Sequence, residues 1–432
     1  MLDAQPLAVA ARRCMKGAMH APLPSSPSTL ALAPSRDPLR WFAPLFERML
    51  EQVDRGLVAG AIEATLPDGS RRRLGGRGEG PVAVVVLHRW RAMLRLATGG
   101  SAGWYEGWVA GDWSSPDPVP LFDLFMRNAR ALGNVARAGR LTGALRRLLH
   151  WSRRNHRANA RRNIQFHYDL GNDFYRRWLD PSMTYSSALF ADSSEPLEAA
   201  QDRKLQAILD RTATQPGDTI LEIGCGWGSF AERAARAGRR VHGLTLSSEQ
   251  KRFVDQRIAN AGLTGVEVSL TDYRDATGSY DAIASIEMVE AVGQQYWPAY
   301  LDAIAARLKP GGRAALQYIA IDEALFDAYA GNVDFIQAYI FPGGLLLSTE
   351  RFRALAEARG LGWQDEHRFG LDYAETLRRW RVDFDAAEAA GVLPGDFPPG
   401  FADLWRYYLM YCEGGFRGGG IDVAQVTLVK EG

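Results

Sequence analysis

The chain has 432 residues, room for two ordinary domains, and its 47% hydrophobic and 23% charged content suits a normal globular core. A formal net charge of +1 selects no partner class by global electrostatics, and three scattered cysteines, Cys14, Cys225 and Cys412, give no disulfide framework, which points to a reducing compartment. No apolar run is long enough to read as a membrane span, and the seven histidines form no metal-ligand spacing.

Residues 1–37 are rich in Ala, Pro and Ser and read as a disordered tail. Arg12, Arg13 and Lys16 precede only short apolar pieces, so no secretory signal is legible. A small α+β domain is expected over 38–135. Phe42, Leu45, Phe46 and Met49 have helical spacing, and Ala61 to Leu66 and Val82 to Leu87 read as strands, the first turned by Pro67-Asp68-Gly69. Helical spacing resumes near Trp90, Met93 and Leu94, and Trp104, Trp108 and Trp113 punctuate a glycine-rich stretch. The arginines from Arg71 to Arg77 have no aromatic among them and read as a solvated hairpin end rather than a nucleic-acid contact. Residues 136–163 hold nine arginines and no acid, with Leu141, Leu145, Leu148, Leu149 and Trp151 near one helical face. That pattern predicts a basic amphipathic linker helix docking on an anionic bilayer; the alternative is an interdomain helix packed on protein.

The third segment, 164–432, alternates strands and helices. Thr219-Ile220-Leu221-Glu222-Ile223 runs into Gly224-Cys225-Gly226-Trp227-Gly228 and then a helical segment from Ser229. Strand, glycine turn, helix is the opening unit of a nucleotide-type fold, and glycines let the backbone approach a ligand closely. Further strands are expected at Arg240 to Leu244, Val266 to Leu270, Asp281 to Ser285 and Arg313 to Ile319. A helix from Tyr296 to Leu308 is closed by Lys309-Pro310-Gly311-Gly312, and Ile421 to Lys430 alternates as a terminal antiparallel strand. Such βα units mean a doubly wound parallel sheet. The glycine loop resembles motif I of S-adenosylmethionine-dependent methyltransferases. Where many of those place a ribose-binding acid after the second strand, this chain has Thr245-Leu246-Ser247, so Gln250 is expected near the ribose; Asp272, after the third strand, is expected near the adenine. After the fourth strand stands Ile286-Glu287-Met288-Val289-Glu290, with no Asn/Asp-Pro-Pro-aromatic segment, which disfavours nucleobase amines as methyl acceptors.

An ordered set of segments extends the resemblance. These are His167 to Tyr175, Leu179 to Ser186, the glycine loop, Thr245 to Gln250, Glu290, Tyr339 to Gly344, Tyr373 to Trp380, and Tyr407 to Glu413. Together they resemble the cyclopropane fatty acid synthases and their relatives that modify mycolic acids. The resemblance implies a class I methyltransferase, Rossmann-like, with a seven-stranded sheet and a smaller amino-terminal domain. It implies S-adenosylmethionine as cofactor, held by Tyr185, Ser186, Glu222, Gly224, Cys225, Gly226, Gly228, Thr245, Leu246, Ser247, Gln250, Asp272 and Tyr273. His167, Tyr168, Phe174, Tyr175, Phe341 and Gly343 would line the acyl pocket. The implied reaction adds a one-carbon unit to the double bond of an unsaturated phospholipid acyl chain and closes a cyclopropane ring; the alternative is methylation without ring closure.

Members of that family resemble one another in holding a bicarbonate ion as base. Its pocket maps to Glu290, Tyr373, an amide near Ile286, and two departures, Ser187 for Cys and Gln317 for His. A Gln carries no charge, so bicarbonate is expected to bind more weakly and the cation to live longer. Relatives have been marked with a catalytic cysteine at Cys412; a carbocation mechanism needs no thiolate, so Cys412 reads as a packed thiol. The expected partners are a phospholipid bilayer surface and unsaturated acyl chains, with no nucleic acid and with a homodimer left open. The expected location is cytoplasmic, at the inner face of the membrane.

Overall fold

The computed structural model describes residues 39, 43–133 and 170–432. The tail over 1–37, the linker helix over 136–163, His167 and Tyr168 lie outside the described residues. The chain forms two compact units, one of residues 1–147, 332–335 and 395–414, the other of 148–331, 336–394 and 415–432.

In the first unit, a helix over Ala43–Gly56 precedes strands β1 (Ala61–Thr65), β2 (Arg71–Gly75) and β3 (Val82–Leu87). A two-residue β4 (Trp113–Ser114) completes a sheet of order β2-β1-β3-β4, in which β1 and β3 run parallel. The arginine-rich run is β2 and the turn after it: Arg72 pairs with Glu47, Arg73 with Glu63 and Arg77 with Asp54. The glycine-rich stretch is helical, part of Arg91–Val109, with a kink at Gly100 where φ is +58°. Helix propensity argues against so many glycines, but packing overrides it. A Cβ on Gly103 would stand 2.0 Å from the Arg95 carbonyl oxygen.

The second unit carries seven strands: β5 (Thr219–Ile223), β6 (Arg240–Thr245), β7 (Val266–Leu270), β8 (Tyr280–Ile286), β9 (Leu308–Ile321), β10 (Leu361–Arg368) and β11 (Ile421–Lys430). Their order is β10-β11-β9-β8-β5-β6-β7. The strands β7, β6, β5, β8 and β9 are parallel, and β11 and β10 add antiparallel to the far side. The connection after β5 leads to β6 on one side and the connection after β8 leads to β9 on the other, and that reversal opens the crevice where open α/β sheets bind ligands. Ile220, Ala282, Ala284 and Ala315 from the sheet pack with Leu205, Ile208, Phe230 and Ala234 from the helices Leu197–Arg211 and Ser229–Arg236. Lys309 to Gly312, expected as a helix-closing turn, falls within β9. The register jumps there from Tyr280↔Leu308 to Ala282↔Arg313, so the Pro-Gly-Gly segment is extra chain pushed out of the ladder. Strand β10 has no counterpart among the sequence expectations.

Candidate active site

The carboxyl ends of β5, β6, β8 and β9 converge on one polar, mostly buried cluster. At the end of β5, Gly224, Gly226 and Gly228 have φ of +83°, +51° and +80°. A Cβ on Gly224 would strike Met288 at 2.8 Å and one on Gly228 would strike Val254 at 2.7 Å, whereas a Cβ on Gly226 would meet nothing within 4 Å. Two of these glycines let the loop pack; the third leaves open space. Gly228 caps the helix Ser229–Arg236. Trp227 fixes the loop from the side, its Nε1 donating to Asn172 Oδ1 over 2.7 Å. Arg257 Nη1 donates to the carbonyls of Ser182 and Trp227, tying the Leu179 to Ser186 segment to the same loop.

After β6, Thr245 Oγ1 donates to Gln250 Oε1 over 2.8 Å, and Ser247 Oγ accepts from Gln250 N as the cap of the helix Ser248–Asn260. The Gln250 amide nitrogen is buried without a partner, as is one Glu222 oxygen. Leu246 is half-buried beside them. After β7, Asp272 is held by Arg274 through three nitrogens, and burial raises the Tyr273 phenol to about 12.

The feature that sequence reasoning missed is Glu287. It sits one residue past β8 with φ of +48°, in the left-handed region that side chains adopt at a cost of about 1–3 kcal/mol and that clusters at functional sites. Its Oε1 accepts from Ser187 N over 2.8 Å and from Gln317 Nε2 over 2.8 Å, and its Oε2 accepts from Tyr373 Oη over 2.7 Å. Ser187, Gln317 and Tyr373 are three of the residues that the family resemblance assigns to bicarbonate. Here they grip a carboxylate of the chain itself. Glu290, expected at the centre of that set, bonds elsewhere: one oxygen accepts from Ile319 N and the other is buried without a partner. Ile286 is the last, half-buried residue of β8, and its successor's amide donates to the Gln317 carbonyl over 2.8 Å.

Burial lifts the Glu287 carboxyl above the ordinary glutamate value, while Lys204, Tyr373, Ser187 and Gln317 pull it back toward the ionised form. Lys204 is fully buried on the helix Leu197–Arg211, its Nζ donating to Ser186 Oγ over 2.5 Å. Burial lowers it to about 8, against the opposing pull of Glu287, Asp180 and Glu222. The donors on Glu290 are backbone amides, those of Ile319 and of Glu290 itself. Burial first, then the Glu287 charge, raise it to about 8. Burial raises both neighbouring carboxyls, and at Glu287 the Lys204 charge and the side-chain donors Tyr373 and Gln317 offset part of the rise.

A wall of aromatic rings runs from the glycine loop to Tyr373. Tyr175 lies 4.8 Å from Trp227 and 5.5 Å from Tyr185, Tyr185 lies 5.3 Å from Trp380, and Trp380 lies 6.2 Å from Tyr373, all between ring centroids. Phe174 is fully buried behind this wall against Tyr175, Trp178 and Phe384. Phe341 and Gly343 are half-buried in a turn whose Leu345 N donates to the Glu290 carbonyl.

A family model described as mycolic acid cyclopropane synthetase matches residues 155–426. The chain belongs to that family. It is 40% identical over 369 residues to tuberculostearic acid methyltransferase of Mycobacterium tuberculosis, covering 81% of this chain and 83% of that one. It is 37% identical over 266 residues to the cyclopropane-fatty-acyl-phospholipid synthase of Escherichia coli, covering 61% of this chain and 66% of that one. The crystal structure of a mycolic acid cyclopropane synthase complexed with SAH and CTAB superposes with a TM-score of 0.58 at 32% identity, over 62% of this chain and 98% of that one. The protein is an S-adenosylmethionine-dependent methyltransferase.

The residues present fit that cofactor. The open space over Gly226 admits a ligand against bare backbone, and the orphaned Gln250 amide and Glu222 oxygen offer hydrogen bonds beside it. Cys225 is buried in the loop, and burial drives its thiol well above the ordinary value, so it packs rather than reacts. Cys412 belongs to the first unit, where burial and then the Asp334 charge push its thiol up as well.

Glu290 gives a pH dependence with a definite sign. Its folded value, about 8, exceeds the ordinary 4.5, so the proton is held more tightly in the folded state. The stability it contributes is complete below pH 4.5 and is lost as pH rises through about 8. Glu290→Gln mimics the neutral acid and is expected to flatten the fall in melting temperature between pH 5 and 9 by a few degrees, since about 1 kcal/mol moves Tm by about 2–4 °C in a domain of this size. Parallel melting curves for the variant and the unmodified protein would show Glu290 to be ionised in the fold.

Proposed function

We propose that this enzyme transfers the methyl group of S-adenosylmethionine to a double-bond carbon of an unsaturated acyl chain in a membrane lipid, with the Glu287 carboxylate as its built-in base, and releases a branched rather than a cyclised chain. The observation that carries this reading is the convergence of Ser187 N, Gln317 Nε2 and Tyr373 Oη on Glu287. A side chain fills an anion-holding set, which supports a reaction that needs no bound bicarbonate. The 40% identity to tuberculostearic acid methyltransferase supports the branched product.

An alkene offers no proton to remove, so the chain's contribution is placement in a dry, aromatic-walled pocket and stabilisation of developing positive charge. The bound cofactor supplies an electrophilic methyl and leaves as a neutral thioether. A new carbon–carbon bond forms from the alkene electrons, and a cation remains on the neighbouring carbon. Glu287, ionised, faces that charge. Removing a proton from the new methyl at this stage would close a ring. The three donors offset part of the rise that burial causes in Glu287 and slow its capture of a proton. The 1,2-hydride shift needs no base and runs ahead of it. The cation then sits on the methyl-bearing carbon, Glu287 takes a methyl proton, and a methylene branch on the open chain results. A saturated methyl branch would require a separate hydride donor. Ring closure is the second reading, favoured by the identity to the Escherichia coli synthase.

Docking at the bilayer through 136–163 belongs to this proposal on sequence pattern alone. Among the described residues, no helix is long and apolar enough to cross a membrane. The test is turnover on phospholipid vesicles in CO2-free buffer, with and without added bicarbonate, and NMR of the extracted lipid. The expected result is equal rates in both buffers and olefinic methylene signals. Bicarbonate-stimulated turnover with cyclopropane signals would overturn the reading.

A further inference from the structure

Gln317 can serve Glu287 only if its amide points the right way, and a hydrogen-bond chain behind it decides that. Gln317 and Gln425 stand directly opposite each other on β9 and β11, and both are buried. Gln425 Nε2 donates to Gln317 Oε1 over 3.0 Å and to the Lys204 carbonyl over 3.4 Å. Gln425 Oε1 accepts from Arg211 Nε over 3.2 Å. Arg211 ends the helix Leu197–Arg211 and is itself anchored by the Asp365 carbonyl and Thr427 Oγ1.

A guanidinium has donors and no acceptor. Its partner on Gln425 must therefore be the oxygen. The Gln425 nitrogen is left to donate, so the Gln317 oxygen must accept. The Gln317 nitrogen then faces the Ser187 carbonyl at 3.3 Å and Glu287 at 2.8 Å, both acceptors. Turning either amide over would set oxygen against oxygen at one end and nitrogen against nitrogen at the other. One charged residue at the rim thus sets the direction of every bond down to the carboxylate.

We propose that Arg211 and Gln425 are positioning residues that lock the Gln317 amide with its NH2 on Glu287 and so hold Glu287 ready as an ionised base. The inference rests on Glu287 being the base. Other groups also act on that carboxylate: Lys204 from the helix Leu197–Arg211, Tyr373 from the helix Gly370–Ala389, and Glu290 from the turn after β8, with Glu222 of β5 and Asp180 acting on Lys204. A hydrogen bond to the charged form lowers a carboxyl's pKa, so losing the Gln317 donor raises it.

The experiment is a double-mutant cycle on the pH profile of kcat, with a spectroscopic readout independent of turnover. Gln425→Leu is expected to move the acid limb upward by about half a pH unit, a fall of about threefold in kcat on that limb, with KM for S-adenosylmethionine unchanged. Arg211→Met is expected to do the same, and Arg211→Lys, still donor-only, to restore the profile. In a Gln317→Leu background, Gln425→Leu is expected to move the limb no further, because it acts only through Gln317. An equal shift in that background would make Gln425 merely structural and overturn the proposal. With 15N-glutamine labelling, the Gln317 side-chain signal, assigned by its loss in Gln317→Leu, is expected to shift in Gln425→Leu and Arg211→Met and to hold in Arg211→Lys. An unmoved signal overturns the chain. A signal that moves as expected, in an enzyme whose acid limb survives Glu287→Gln, leaves the chain standing and removes Glu287 as the base.

Discussion

Glu287→Gln is expected to lower kcat by about 10²–10⁴-fold, the range for a positioned proton acceptor, while S-adenosylmethionine still binds. The fold should tolerate the change. The Gln carbonyl can accept from Ser187 N and Gln317 Nε2 as Oε1 of Glu287 does, and the new NH2 faces Tyr373 Oη, a hydroxyl able to turn and accept. What is lost is the charge opposite the cation and the site for the proton. In the unmodified enzyme the base works only when ionised, and burial holds its value above 4.5, so activity is expected to fall as pH drops through that raised value. Glu287→Gly separates charge from scaffold. The residue's φ of +48° suits glycine, so backbone strain is relieved while the three donors remain with an empty cradle. Added bicarbonate or formate is expected to restore part of the rate in that variant and none in Glu287→Gln, where the cradle stays filled. Wild-type kcat in Glu287→Gln, measured beside calorimetric proof of cofactor binding, would remove Glu287 from the mechanism.

The backbone of the second unit was largely legible. Strands β5 to β8 and β11 announce themselves by apolar runs between glycine turns, and they lie within a residue of their expected ends. Strand β10 was hidden for a physical reason. It is an edge strand whose middle, Gln364-Asp365-Glu366-His367, is charged and polar. Asp365 has φ of +54°, and the register shifts across it, so the alternation that signals a strand is broken in the sequence as well as in space.

The site was legible in its parts and not in its centre. Ser187, Gln317 and Tyr373 were singled out, as departures or matches within a family pattern, but the group they surround was not. Glu287 and Glu290 lie three residues apart. Which of them reaches Ser187, Gln317 and Tyr373 depends on a left-handed residue that no propensity predicts. The change from Cys and His to Ser187 and Gln317, expected to weaken a bound anion, gains another reading here. The neutral Gln317 donor suits a carboxylate that is covalently part of the chain, because the anion no longer has to be captured from solution. The Ser187 hydroxyl donates to the Ala188 carbonyl instead, and only the Ser187 backbone amide reaches Glu287. Lys204 was missed because a lysine on a helix ordinarily reaches for water. The signal that could have found it is its place one turn after Gln201 and four residues before Ile208, on the face that the helix buries.

Gly226→Val is expected to abolish S-adenosylmethionine binding, with a loss of affinity of at least about 100-fold, because two costs fall on one position. A β-branched residue at φ of +51° is a backbone outlier, strained by about 1–3 kcal/mol. Its side chain would also project into the space where a Cβ meets nothing within 4 Å, the one opening the three loop glycines leave. Gly262→Val separates these costs. Gly262 has φ of +61° and equally open surroundings, but it lies in the turn after the helix Ser248–Asn260. It carries the strain without facing the glycine loop, so its variant is expected to lose stability and keep cofactor affinity. The same titration on Gly224→Ala reports packing, since a Cβ there must displace Met288, the neighbour of Glu287. Calorimetric titration with S-adenosylmethionine, paired with thermal melts of each variant, reads both terms. Retained affinity in Gly226→Val would place the cofactor away from this loop. An equal loss of affinity in Gly262→Val would show that general destabilisation, and not obstruction, governs binding.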